Sequence, residues 1–477
     1  MTNLSGPIFK LFLVFAIISI AGCKTLTAPS SSSEMWKPLP AKADNSSWQS
    51  LRQQKIDASK PITLTSLVNF ALQNNPSTKQ AWNNARAAEA VKAQSESLLY
   101  PSATVTAQLT REAARQNIRA ADYNDLKYGP EIDLTYLLLD FGGRDAGIRQ
   151  TTDLLLAANY QFNQSMQDLL LNVENAYYNF YSAKSSLEAA LADLETAKTT
   201  YDDADTRYRA QLASKLDVLQ AKSGYEDSLF SLEGAKGRVK SAKAQLAQTI
   251  GVPADTEFDI ADPEKPLPTG LSEDDVTKLI NDAMDKRPDI AAQKATVEAS
   301  KAAIKFADSA LYPSISAGGT AAADKYHYYG STDARHYDAS ASAYLTFNWD
   351  LFDGFNNLNK KREAEMNSEV ERAKLIQAQL AVSADVWTKY YNFKTAVSQY
   401  GFGESLLETA QTSYELALES YNNGLKSMLD LTNAQSQLSD ARSKLIQTKK
   451  DLFVSLADLA HATGSLYAGD MTNEQSK

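Results

Sequence analysis

Few side chains in this chain could do chemistry. It holds three histidines, His327, His336 and His461, and one cysteine, Cys23, among 477 residues. His327 and His336 fall in a tyrosine-rich polar stretch, Asp324 to Asp338. Two histidines there could hold a metal ion, but an exposed tyrosine-rich loop carrying incidental histidines is the reading adopted. Gly142-Gly143 and Gly318-Gly319 lack the spacing of a phosphate-cradling loop. Asp202-Asp203 and Asp274-Asp275 read as solvated helix surface or N-terminal charge. No enzyme constellation, metal site or cofactor is expected. The chemistry left is that of lipid and of charge.

Cys23 is the candidate to carry a lipid. Lys10 precedes an apolar run, Leu11 to Ala21, too short to span a bilayer. The run ends in Ile20-Ala21-Gly22-Cys23. An aliphatic residue, two small ones and then cysteine resemble a lipobox, so residues 1–22 are expected to be a signal peptide and Cys23 to be acylated. Lys24 rather than Asp follows, as in lipoproteins sorted to the outer membrane. With one cysteine no disulfide forms within the chain. Residues 23–61, with Ser30 to Ser33, Pro38, Pro40 and Pro61, read as a lipid-anchored tether unable to bury a core. The net charge of −10 and pI near 5.1 argue against nucleic acid as the main partner.

The elements that position this anchor are written twice. Leu99-Tyr100-Pro101-Ser102 returns as Leu311-Tyr312-Pro313-Ser314, 212 residues on. Tyr177-Tyr178-Asn179-Phe180 returns as Tyr390-Tyr391-Asn392-Phe393, now 213 residues on. Leu216-Asp217 matches Leu429-Asp430 at the same offset. Two copies of one architectural unit follow, over 62–252 and 271–465, with a linker at 253–270 and a tail at 466–477.

Within each copy the period changes. Val105, Ala107 and Leu109 alternate with Thr104, Thr106 and Gln108. The pattern resumes at Ile132, Leu134 and Tyr136 after the polar stretch Arg111 to Lys127. Strands are therefore expected at 102–112 and 129–139. In the second copy they fall at 314–323 and 340–350. Alternation over about ten residues fits a strand crossing a bilayer, and fits a hairpin with one buried face equally well. Two such hairpins at matching positions behind a lipobox favour the membrane. No proline lies between Pro130 and Pro253, and none follows Pro313. Arg144 to about Arg209 therefore reads as one helix of roughly 100 Å. It turns at Leu212-Ala213-Ser214 and returns to Gly251. The second copy turns at Gly424-Leu425-Lys426-Ser427. Four strands cannot close a barrel and an open edge cannot lie in lipid, so several copies must assemble.

Arg287-Pro288-Asp289-Ile290, Leu311-Tyr312-Pro313, the Gly354 corner and Tyr421-x-x-Gly424-x-x-Ser427-x-Leu429-Asp430 resemble the TolC-type outer-membrane efflux proteins. The resemblance covers about residues 62 to 465. It implies a mainly α fold with a membrane β-barrel part: a homotrimer whose twelve-stranded barrel continues as an α-helical barrel in the periplasm. It also implies outer-membrane lipid around the barrel, a periplasmic adaptor at the tips and an inner-membrane pump, either a proton-driven exchanger or an ABC exporter. The function implied is a passive duct for efflux or type I secretion. In such proteins the gate lies near the tips of the second helical hairpin. By position, Asp430 matches an acidic ring residue and Asn433 stands where a second acid can occur. Tyr421 and Lys426 match residues that hold the closed state by hydrogen bonds and a salt bridge to neighbouring helices. Leu212, Ala213, Ser214, Gly424, Leu425 and Ser427 match the adaptor-docking tips. Two alternative folds would leave a different pattern. A long helical lipoprotein that spaces membranes would lack the alternating segments, and an adaptor would carry one helical hairpin rather than two.

Overall fold

The computed structural model describes residues 60–114, 123–263, 275–328 and 334–465. The signal peptide, Cys23, most of the tether, the linker beyond residue 263 and the C-terminal tail lie outside the described residues. The first copy runs α1 (Leu64–Asn74), α2 (Pro76–Glu96), β1 (Ser102–Ala114), β2 (Tyr123–Leu139), α3 (Gly143–Arg209) and α4 (Lys215–Ile250). The second repeats the order with α5 (Asp275–Lys286), α6 (Pro288–Ser309), β3 (Ser314–Tyr328), β4 (Ala334–Asn348), α7 (Asn356–Asn422) and α8 (Met428–Ala462).

The pairings reduce these elements to four parallel columns. The strands form one antiparallel sheet in the order β1-β2-β3-β4. Beside the sheet, α2 packs on α3, α3 on α6 and α6 on α7. Further along, α4 packs on α3, α3 on α8 and α8 on α7. Columns two and four each hold one strand and one unbroken helix, α3 or α7, of 67 residues, about 100 Å at 1.5 Å per residue. Columns one and three are composite: α4 ends where α2 begins, and α8 ends where α6 begins. At the first junction Asn75 Nδ2 donates to the Thr249 carbonyl at 2.6 Å. At the second, Arg287 Nη1 donates to the Ala462 carbonyl at 3.2 Å. In each case a side chain at the start of one helix satisfies a carbonyl orphaned at the end of the other.

The strands run beyond their expected bounds into the polar stretches. Ladder hydrogen bonds need no apolar side chain, and cross-strand charge supports the extension. Lys127 on β2 pairs with Asp324 on β3 at 3.0 Å and lies over the Tyr326 ring. The stretch expected to be a linker is also packed as far as it is described. Ile62 forms a parallel bridge with Ile260, and Phe258 and Ile260 are buried in the core that holds Phe180. Tyr177 donates from its hydroxyl to the Ala261 carbonyl at 2.6 Å, fixing this segment against α3.

The strand-to-helix corners use two successive left-handed residues. Phe141 and Gly142 fill them in the first copy, Gly354 and Phe355 in the second. Glycine takes that region freely and phenylalanine does not. An aspartate holds each corner. Asp140 accepts from the Arg144 amide, and Asp353 accepts from the Asn356 and Asn357 amides. The core sits where the composite columns break. Tyr177 and its repeat mate Tyr390 are both fully buried, among residues of α1 and α4 in one case and of α5 and α8 in the other.

Candidate functional site

The sheet has two chemically different faces. Register places Thr104, Thr106, Glu131, Asp133, Thr320 and Ser342 on one side. The Thr320 and Ser342 hydroxyls share a hydrogen bond of 2.7 Å there. The other side carries Val105, Leu109, Ile132, Leu134, Leu345 and Phe347, all exposed. No helix among the described residues is long and apolar enough to cross a membrane. The apolar sheet face is the surface that suits lipid, and the polar face suits a watery lumen.

At the far end of the columns the two helical hairpins turn by the same motif. Gln211 and Gly424 are left-handed, at φ 61° and 74°. The Leu212 amide reaches back to the Arg207 carbonyl, and the Leu425 amide to the Ser420 carbonyl, both at 2.8 Å. This six-to-one bond with its inner partner satisfies the carbonyls orphaned at the end of a helix. Leu212 and Leu425 are left 78% exposed at the two tips. The next helix begins at once with a capping box. Ser214 exchanges hydrogen bonds with Asp217, and Ser427 does the same with Asp430. The matching aspartates therefore play the same local part, and each closes the amide end of its helix.

Asp430 has room for a second role. Its capping bonds from the Ser427 amide and hydroxyl both end on Oδ2, at 3.0 and 2.8 Å. These bonds, with the Lys426 charge nearby, hold its carboxyl below the usual range. Asn433, one turn on, is exposed like Asp430, while Met428, Leu431 and Ala434 face the core. Lys426 is exposed and makes no ion pair or hydrogen bond among the described residues of the protomer. Tyr421 departs from expectation. It is buried among Ala204, Ala221, Met428 and Leu431, and its hydroxyl has no hydrogen-bond partner. Burial pushes its phenol up, against the pull of the nearby Arg207 cation.

Arg207 is the residue that the motif did not reveal. It stands on α3 with its guanidinium 5.0 Å from the centre of the Tyr421 ring. Its Nη2 donates to Asn422 Oδ1 at 2.9 Å. The only signal in the sequence was a departure between copies, since its repeat mate is Ser420. Three further ties join α3 to α8. Asp168 meets His461 at 2.8 Å, Tyr181 accepts from Lys449 at 3.0 Å, and Asp193 meets Arg442 at 2.6 Å and Ser439. Burial penalises the Asp168 charge, but hydrogen bonds to His461 and Gln164 outweigh it and hold the carboxyl low. Between the hairpins, at the level of Asp193, lies a polar cavity of about 660 Å³ lined by serines, Gly224 and Lys444. His327 and His336 fall on opposite faces of the sheet by register, so they do not converge. No group of three metal-ligating side chains occurs among the described residues.

Comparison with known proteins fits this arrangement. Residues 67–252 and 279–465 each match the outer membrane efflux protein family model. Over 341 residues the chain is 28% identical to protein CyaE of Bordetella pertussis, covering 70% of each. It is 25% identical to the pyoverdine export outer membrane protein OpmQ of Pseudomonas aeruginosa, over 66% of this chain and 69% of that one. The fold matches the outer membrane protein VceC of Vibrio cholerae with a TM-score of 0.73 at 20% identity, over 84% of this chain and 96% of that one. The chain belongs to the outer membrane efflux protein family, outer-membrane ducts of efflux and secretion that carry no catalytic centre.

Proposed function

We propose that three copies of this chain close into one duct, anchored by an acyl group on Cys23 and gated at the tips of the second hairpin. The observation that carries the reading is the four-column wall. Its sheet ends in unpaired strands β1 and β4, and an unpaired edge is not tolerated in lipid. Each such edge finds its complement on another copy. Twelve strands leave a lumen, where eight would fill with side chains. A periplasmic adaptor then caps the tips, and an inner-membrane pump supplies the energy. The exposed Leu212 and Leu425, with Ala213, Ser214, Gly424 and Ser427 shaping the turns, give that adaptor an apolar foothold.

Asp430 supplies the narrowest charge: one ring of three carboxylates, with amides of Asn433 above it in place of a second acidic ring. Lys426 is free to reach a neighbouring protomer. The test is Asp430→Ala in planar bilayers. Single-channel conductance should rise and block by multivalent cations should weaken. Unchanged conductance and unchanged block would remove Asp430 from the constriction. The mass of the detergent-solubilised protein checks the trimer separately.

A further inference from the structure

We propose that neighbouring protomers interlock through an aromatic knob on α7 seated in a glycine notch on α4 of the next copy, with a reciprocal knob from α4. The proposal rests on the trimeric reading. It concerns the two edge columns, whose outer faces are uncovered in one protomer. Below the sheet these edges are α4 and α7, because the packing order there is α4, α3, α8, α7. They continue downward from the unpaired strands β1 and β4, so whichever copy pairs those strands also meets these helices.

The outer faces are not ordinary solvated surface. On α4 the buried positions Val218, Ala221, Leu232 and Ala235 line the side against α3. At 100° per residue, Leu219, Ser223, Phe230, Gly234 and Gly237 fall on the opposite side. On α7 the buried Ala396, Gly403 and Ala410 face α8. Ser398, Phe402, Ser405, Thr409 and Leu416 recur by threes and fours along the exposed side, the seam spacing of packed helices. Each seam holds one large ring among small residues. Phe230 is 81% exposed and Phe402 is 75% exposed.

The rings and the small residues stand at matching heights. The two tips are level, since α3 and α7 are equally long and turn by the same motif. Phe402 lies twenty residues above the end of α7, about 30 Å. Gly234 and Gly237 lie nineteen and twenty-two residues above the start of α4, about 28 and 33 Å. Phe230, fifteen residues above that start, falls between the heights of Ser405 and Thr409.

No contact within the protomer enforces either glycine, although Gly237 also borders a cavity with Ser186 of α3 and Gln447 of α8. A Cβ on Gly237 would meet nothing within 4 Å, and one on Gly234 would meet only the tip of Arg238 at 3.5 Å. Neither glycine has the left-handed backbone that would require it. Interior glycine weakens a helix, so a position that keeps it with open space around it fits close approach by something outside the protomer. Gly403 is the contrast: its missing Cβ makes room for Thr448 of its own chain. Residues 401–420 of α7 carry Glu404, Glu408, Glu415 and Glu419 and no base. On α4 the charge is mixed: Lys222, Arg238 and Lys240 lie among Glu226, Asp227 and Glu233, so charge does not carry the pairing.

The test is a cysteine pair, Gly234→Cys with Phe402→Cys, in the full-length protein purified in detergent. A disulfide needs Cα atoms within about 7 Å, and the two positions differ by about 1.5 Å in height. Mild oxidation should convert most of the protein to covalent dimer and trimer on non-reducing gels. Each single variant, and the out-of-register pair Gly224→Cys with Phe402→Cys, should stay monomeric. A trimer by mass that never cross-links through Gly234 and Phe402 overturns the knob and leaves the trimer standing. A protein that is not trimeric overturns both. Gly237→Leu gives an independent reading. Leucine is the better helix former, so a merely local role predicts no loss of assembly. A filled notch should raise the concentration at which half the trimer dissociates by roughly tenfold or more. A trimer as tight as the native one counts against the proposal.

Discussion

Arg207→Ala should open the duct from the side of the first copy. Arg207 is the lowest polar tie between the two hairpins, and it fastens the end of α7 to α3. Its hydrogen bond to Asn422 Oδ1 at 2.9 Å contributes about 1 kcal/mol. Its position over the Tyr421 ring, 5.0 Å from the centroid, adds about 0.5–1 kcal/mol. The contacts to the Tyr421 and Asn422 carbonyls, at 3.5 and 3.4 Å, are too long to add much. The total of about 1.5–2 kcal/mol per protomer corresponds to roughly a 10–30-fold change in the ratio of fastened to released tip.

Single-channel recording in planar bilayers measures this directly, as a larger open fraction or a larger conductance. Arg207→Lys keeps the charge but loses the planar fork, so it should fall between native and alanine. Arg209→Ala is the control. Arg209 pairs with Asp205 on an exposed surface, 79% open at the arginine, and its loss should change nothing. A double-mutant cycle of Arg207→Ala with Asn422→Ala should show coupling of about 1 kcal/mol. If Arg207→Ala leaves open fraction and conductance at native values while the protein remains trimeric, Arg207 is not a latch. If it lowers the melting temperature alone, its role is structural.

Three other outcomes are expected. The Asp430 carboxyl is held low by Ser427, so cation block should be complete at neutral pH and disappear only as pH falls through that lowered value. Ser427→Ala removes the hydroxyl bond, the largest of the causes, and should move the midpoint of block to higher pH; an unmoved midpoint argues against Asp430 as the blocking group. Gln211→Gly should raise thermal stability by about 1 kcal/mol, because glutamine now occupies a left-handed site that glycine takes freely; an unchanged melting temperature would refute that strain. Arg287→Ala should cost about 2–3 kcal/mol in thermal unfolding, since it strips Asp289, Asp385 and the Ala462 carbonyl of one half-buried donor, and Arg287→Lys should recover only part.

The duplication and the change of period made the architecture legible. The proline-free stretch with its helical periodicity marked α3 as Arg144 to about Arg209, against the observed Gly143–Arg209. Strand ends were less legible. The alternating apolar residues mark where a strand meets lipid, whereas β2 and β3 continue through polar residues that still pair. Phe258 and Ile260 could not be assigned to the core from sequence, because a short irregular segment has no period to read. At the tips, the resemblance pointed to Asp430 and Tyr421 but not to what each does within the protomer. Asp430 is half of a capping box, a pattern visible in Ser427-x-x-Asp430 itself. Arg207 had no motif, because a cation over a ring needs only a position in space, and that position depends on how two distant copies pack.

The unequal copies bear on the proposed gate in the second hairpin. The ties from α3 to α8 run down the wall through Asp168, Tyr181 and Asp193 and then stop. Below Asp193, sixteen residues remain before α3 ends, about 24 Å. Over that length the hairpins meet through Ala204, Ala221, Tyr421, Met428 and Leu431, with a hydrogen bond between Thr200 and Tyr414 and with Arg207 at the end. Small apolar contacts resist sliding less than charge-assisted hydrogen bonds do, because they have no direction to lose. The upper wall is therefore pinned by charge-assisted ties at Asp168 and Asp193, and the lower end by fewer and weaker ones. A swing of the second tip breaks the Arg207 tie and the hydrogen bond between Thr200 and Tyr414, and leaves the ties from Asp193 upward in register. The same swing would expose the Tyr421 ring but orphan no hydroxyl bond, since that hydroxyl has none. A buried tyrosine without a partner is a poor choice for a permanent core and a tolerable one for a surface that water reaches each time the duct opens.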